Sequence, residues 1–224
     1  MTQKKFQYSQ TERDAIYRVI YERRDMRHFS AGTIDEKTLW KLLNAAHHAP
    51  SVGYMQPWRF IRISDQHIRQ EIHALVEQER PKTAAALGSR GDDFMALKLE
   101  GIMECAELLV VALADGREKY IVGRRTLPEM DLASAACAIE NMWLAARAEG
   151  LGMGWVSLYD PEELAKLLNM PVGSKPIGVF CIGPVDEFYD KPMLEAVGWK
   201  KRAELKNLVF ENSWDQLLAT KENK

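Results

Sequence analysis

The run Glu107-Leu-Leu-Val-Val-Ala-Leu-Ala114 constrains this chain more than any other segment. Seven apolar residues follow one another without polar alternation, which reads as a central strand covered on both faces. The run is too short to cross a bilayer, which takes about 20 residues. Around it, helical and strand-like segments alternate, so the order of elements predicts an α+β or α/β sandwich. No repeat, linker or low-complexity stretch interrupts the 224 residues, and a single domain over 1–224 is expected.

The flanking elements follow from periodicity and caps. Residues 11–23 predict a helix with Ile16, Val19, Ile20 and Arg23 at helical spacing. Thr33 with Glu36 reads as a capping box for a second helix, whose stripe is Leu39, Leu42, Leu43 and Ala46 and which Pro50 ends. Trp58 to Ile63 alternates as a strand, and Asp65 caps a helix burying Ile68, Ile72, Leu75 and Val76. Residues 81–92, with Pro81, Gly88 and Gly91, predict a mobile excursion, and helical character returns over 93–106. A long helix is expected from about Leu127 to Glu149, with Gly150 or Gly152 as its stop. Trp155 to Leu158 is a short strand, Asp160-Pro161 opens a helix through Leu168, and Ile177 to Ile182 is a further strand. The tail from Pro184 is irregular yet carries Trp199, Phe210 and Trp214, which suggests packing onto a partner subunit.

Lys plus Arg total 30 against 32 for Asp plus Glu, which gives no broad electrostatic case for nucleic acid or an anionic membrane as partner. Local basic groups remain able to hold a small phosphate. The MTQKKFQYSQ start lacks the apolar run of a secretory signal, and Cys105, Cys137 and Cys181 lie far apart among apolar residues, as buried reduced thiols. Both features predict a cytoplasmic protein. His28, His47, His48, His67 and His73 show no ligand spacing, so no metal is expected.

Three segments can carry chemistry. Arg23-Arg24-Asp25-Met26-Arg27 places three guanidiniums within five residues, which repel unless an anion or the neighbouring Glu22 and Asp25 neutralise them. Ala49-Pro-Ser-Val-Gly-Tyr-Met-Gln-Pro-Trp58 is a restricted connection: either a rigid joint, or a loop presenting Ser51, Gln56 and backbone groups to a planar ligand. Gly150-Leu-Gly-Met-Gly-Trp-Val-Ser157 has G-x-G-x-G spacing, but its glycines follow a helix and precede a strand, the reverse of a dinucleotide fingerprint. Helix termination and close backbone approach explain them better. Lys200-Lys201-Arg202 adds positive charge for a phosphate or merely solvates the tail.

The order of these motifs resembles the FMN nitroreductase superfamily. Within it, Arg23 to Arg27, Ala49 to Trp58, Lys98-Leu-Glu-Gly-Ile102, Gly154-Trp-Val-Ser-Leu-Tyr-Asp-Pro161 and Lys191 to Arg202 are similar to the dimethylbenzimidazole synthase family, which carries Asp where ordinary nitroreductases carry Ser at position 25. The resemblance implies a three-layer sandwich with a mainly antiparallel sheet, in a domain-swapped homodimer whose two chains build each FMN site. It implies that FMN is held by Arg23, Arg24, Asp25, Met26, Arg27, Pro50, Ser51, Gly53, Gln56, Lys98, Val156, Ser157, Lys201 and Arg202, with Asp25 and Ser157 catalytic. Residues 81–100 would form a lid, and 184–224 would embrace the partner subunit. Reduced FMN is then substrate, O2 is co-substrate, and NAD(P)H acts only indirectly, through a flavin reductase supplying FMNH2. The implied products are 5,6-dimethylbenzimidazole, whose C2 derives from ribityl C1′, and erythrose 4-phosphate. A conventional FMN-dependent nitroreductase, flavin reductase or dehalogenase, and a non-catalytic flavin-binding module, are the alternatives.

Overall fold

A computed structural model describes residues 6–218. The chain forms two compact units, one running to Phe188 and one starting at Tyr189. The first contains α1 (Gln10–Glu22), α2 (Glu36–His47), β1 (Trp58–Arg62), α3 (Gln66–Ala86), α4 (Gly91–Met95), β2 (Glu107–Leu113), α5 (Met130–Ala148), β3 (Gly152–Val156), α6 (Pro161–Leu167) and β4 (Lys175–Gly183). The second contains α7 (Met193–Ala196) and an isolated bridge between Phe210 and Leu217.

The strands form one antiparallel sheet in the order β1-β2-β4-β3. Every residue of β2 is buried, as its unbroken apolar run requires. Its side chains alternate between two cores: Leu109, Val111 and Leu113 join α2 and α5 on one face, while Leu108 and Val110 join α3 and α6 on the other. On β4, Phe180 and Ile182 take the first face and Val179 and Cys181 the second. Helices thus cover both sheet faces, giving the three-layer α+β sandwich.

Several local expectations are corrected. Asp35, not Thr33, caps α2, accepting from the Thr38 backbone N–H at 2.9 Å. The Ala84-Ala85-Ala86 run carries α3 through Pro81, where a break was expected, because three strong helix formers follow the proline. The helical stretch expected over 93–106 stops at Met95. Beyond it, Gly101 packs where a Cβ would lie 2.5 Å from the Phe29 ring, and its carbonyl accepts the Cys105 N–H at 3.0 Å in a separate turn. Cys105 and Cys181 are buried, but Cys137 is exposed on α5. Gly152 belongs to β3, leaving Gly150, at φ 76°, to end the long helix.

No helix among the described residues is long and apolar enough to cross a membrane, and no His, Cys, Asp and Glu group there can hold a metal.

Candidate functional site

The arginine box leaves the end of α1, where Arg23 is the cap residue, and runs extended beside β3. Asp25 forms a parallel bridge with Met153, and the Met26 N–H donates to the Met153 carbonyl at 3.0 Å. Glycine at 154 makes this approach feasible: a Cβ there would sit 2.1 Å from the Met26 carbonyl oxygen. The glycine-rich segment is therefore a backbone-approach device, as its order along the chain predicts. In extended backbone, alternate residues share a face, so Arg23, Asp25 and Arg27 lie on one side while Met26 enters the core.

Asp25 is held from two directions. Its Oδ1 accepts the Trp155 backbone N–H at 3.0 Å, and its Oδ2 lies 2.5 Å from Nη2 of Arg27, which also donates to the Trp155 carbonyl at 2.9 Å. Burial of the carboxyl pushes its pKa above the ordinary 3.8, against the downward pull of Arg27, the Trp155 N–H and Arg23. The side chain nonetheless retains 44% of its free surface. A carboxylate with a raised pKa, partly open and flanked by guanidiniums, is suited to exchanging a proton with a bound anion.

Val156 is buried at the end of β3 and Ser157 follows it, exposed. Ser157 lies two residues beyond Trp155, about 7 Å further along the strand. A Cβ on Gly101 would lie 3.0 Å from the Arg27 carbonyl oxygen, so the Lys98 to Ile102 segment runs close to the box, with Lys98 Nζ paired to Glu104 at 2.6 Å.

The second loop sits elsewhere. Ser51 Oγ accepts the Gln56 N–H at 3.0 Å, and Gly53, Tyr54 and Gln56 all take positive φ near 50°. Two non-glycine residues in that region mark a clamped, strained loop of the kind found at ligand sites. Ser134 Oγ accepts the Val52 N–H at 3.0 Å and donates to the Met130 carbonyl at 2.6 Å, tying the loop to the start of α5. The box is tied near the other end of that helix, where Trp143 Nε1 donates to the Arg24 carbonyl at 3.2 Å. Nine residues of helix, about 14 Å, separate the two anchors. Pro50 is exposed and Gln56 lines a cavity of about 420 Å³ with Trp40, His47, Trp58 and Phe60. Lys201 and Arg202 are exposed in the second unit.

Two anchors escape sequence reading, Trp143 and Ser134. Their signal is faint: each is a hydrogen-bonding residue inside an alanine-rich helix whose all-round apolar character hides any special face.

The model of the nitroreductase family matches residues 20–184, from the arginine box through β4. The chain belongs to the nitroreductase family. Among curated relatives in that family, a 5,6-dimethylbenzimidazole synthase of Rhodospirillum rubrum is 39% identical over 85% of this chain and 91% of its own. One of Rhodobacter capsulatus is 37% identical over 87% of this chain and 95% of its own. Among solved structures, iodotyrosine deiodinase bound to FMN and 3-iodo-L-tyrosine superposes with a TM-score of 0.68 at 22% identity, covering 84% of this chain and 95% of that one. A BluB-like flavoprotein of Clostridium difficile 630 gives 0.63 at 20% identity, covering 81% and 96%. These two likenesses establish the nitroreductase fold.

Proposed function

We propose that this nitroreductase-family chain is a 5,6-dimethylbenzimidazole synthase, which fragments reduced FMN with O2 and releases erythrose 4-phosphate as the second product. The observation that carries this reading is the placement of Asp25 between Arg23 and Arg27, gripped by the Trp155 N–H. The identity to synthases of that name, 39% and 37% over most of each chain, supports it.

The residues fit the substrate. Guanidiniums at the edge of β3 match a phosphate by charge-assisted hydrogen bonds, with Lys201 and Arg202 as further cations. The strained loop of Pro50, Ser51, Gly53 and Gln56 offers backbone and amide groups to a planar ring. Arg24 and Met26 set the backbone of the box, and Val156 sets the strand end from which Ser157 projects. Bound flavin supplies the redox chemistry. Asp25 accepts and returns protons beside the ribityl chain, and Ser157 hydrogen-bonds the ring edge. Lys98 and the 81–100 segment close over the site and exclude water. FMNH2 comes from a separate flavin reductase, the only step at which NAD(P)H enters.

A homodimer completes the site in this reading. Box and loop of one chain are anchored about 14 Å apart along α5, and in this reading the loop of a second copy joins the box. α1 buries no residue, leaving Ile16, Tyr17, Ile20 and Tyr21 exposed, and α5 exposes Leu132 and Cys137. Apolar faces of this extent fit a subunit interface.

The test is aerobic incubation of the pure protein with enzymatically reduced FMN, followed by mass analysis. Dimethylbenzimidazole is expected. Recovery of intact oxidised FMN alone, with steady oxidation of NAD(P)H, would instead place the chain among conventional flavin reductases.

A further inference from the structure

Trp143 touches the arginine box twice. Its indole N–H donates to the Arg24 carbonyl at 3.2 Å, and its ring faces the Arg23 guanidinium, whose Cζ lies 4.6 Å from the ring centroid. The tryptophan is only 7% exposed and belongs to the core between the sheet and α5, so its own position is fixed by packing. Its ring lies 6.5 Å from that of Trp155, the residue whose backbone N–H holds Asp25. Glu140, three residues earlier on the same helical face, approaches Arg23 Nε at 3.4 Å.

We propose that Trp143 is a positioning residue for flavin binding, and that it acts by presenting Arg23 to the ligand's phosphate. The inference rests on the flavin reading above, and specifically on Arg23 as a phosphate contact. A cation–π contact engages the flat face of a guanidinium and leaves its in-plane N–H donors available to an oxyanion. An arginine at a helix end otherwise samples many rotamers, and ordering it on binding carries an entropic cost. Held over a buried indole, Arg23 has met part of that cost before the ligand arrives. Glu140 draws the same guanidinium along the helix face, and the indole N–H fixes the Arg24 carbonyl, from which the chain turns into Asp25. One side chain of α5 thereby sets both the charge that grips and the start of the strand that reacts.

The experiment compares two flavins that differ only in the phosphate. Oxidised FMN and riboflavin are titrated into the wild type, Trp143→Met and Trp143→Phe, following flavin fluorescence. Methionine fills apolar space without a π face, whereas phenylalanine restores one. For Trp143→Met, FMN affinity is expected to fall about 10-fold, the scale of a partly desolvated cation–π contact. Riboflavin affinity should stay within about 2-fold, and Trp143→Phe should recover most of the FMN loss. Equal weakening for both flavins, or no FMN loss, overturns the proposal, since a purely structural role does not distinguish phosphate. Should Trp143→Met fail to fold, Trp143→Phe decides alone: its weaker face predicts a loss of about 2- to 3-fold confined to FMN, and a loss shared by riboflavin overturns the proposal. A wild type that binds both flavins equally removes Arg23's phosphate role and this proposal with it. A wild type that prefers FMN but makes no dimethylbenzimidazole refutes only the synthase reading.

Discussion

Trp155 gives its backbone N–H to Oδ1 of Asp25 at 3.0 Å, while Arg27 takes Oδ2 at 2.5 Å. Each carboxylate oxygen therefore has a protein donor, yet burial still pushes the pKa above 3.8. The sign has a consequence for stability. A raised folded pKa means that the neutral carboxyl is favoured by the fold: its contribution is complete below 3.8 and is lost as pH rises through the higher folded value. Asp25→Asn, which imitates the neutral form, is expected to be at least as stable as wild type at pH 7. That advantage should vanish below pH 3.8. Urea midpoints at the two pH values check this. Dimethylbenzimidazole formation should be lost in the variant while reduced FMN still binds, and retained product would remove Asp25 from the mechanism.

Arg27 exerts the strongest downward pull on Asp25. Arg27→Gln should therefore shift the carboxyl further upward, and the acidic limb of the pH–rate profile should move to higher pH. A limb that stays in place would show that another group titrates there.

Gly154 leaves no room for a methyl group, since its Cβ would meet the Met26 carbonyl at 2.1 Å and Arg27 Nη1 at 2.8 Å. Both neighbours are buried and cannot swing away. Gly154→Ala is expected to destabilise by about 1–3 kcal/mol, the range for overpacking, and to weaken FMN binding by displacing the box. Chemical denaturation and flavin titration measure the two effects.

Ser134 reports on the other half of the site. Ser134→Ala removes the acceptor for the Val52 N–H, at a cost of about 1–3 kcal/mol if that group is left buried and unsatisfied. Faster hydrogen exchange at Val52 and Gly53, together with weaker flavin binding, is the expected result. Unchanged exchange would mean that the loop is held by its own strained turn instead.

The layers of this fold are legible because they rest on uninterrupted patterns. The β2 run demands cover on both faces, and Asp65 and Asp160 cap their helices as read. The start of α2 is misread by two residues because Thr33 and Asp35 both offer a side-chain oxygen, and only the observed geometry gives Asp35 the Thr38 N–H. The 93–106 stretch has Phe94, Met95 and Leu97 at nearly helical spacing, but the helix ends at Met95 and Gly101 packs closely beside Phe29, a tertiary relationship that local spacing does not carry. Within the site, the charges of the box and the awkward backbone of residues 50–57 are visible as composition. The pairing of the box with β3 is not, because it depends on which residue of each strand faces which. Trp143 and Ser134 are hidden for a related reason: they act through neighbours distant in sequence.

One arginine of α3 holds the chain that leaves α4. Arg80 Nη2 donates to the Met95 and Leu97 carbonyls at 2.7 and 2.8 Å, and Pro81 follows it immediately. Proline brings no N–H to the carbonyl four residues back, so the α3 ladder lacks one rung there. The guanidinium thus ties residues 95 and 97 back to the helix turn where that rung is missing.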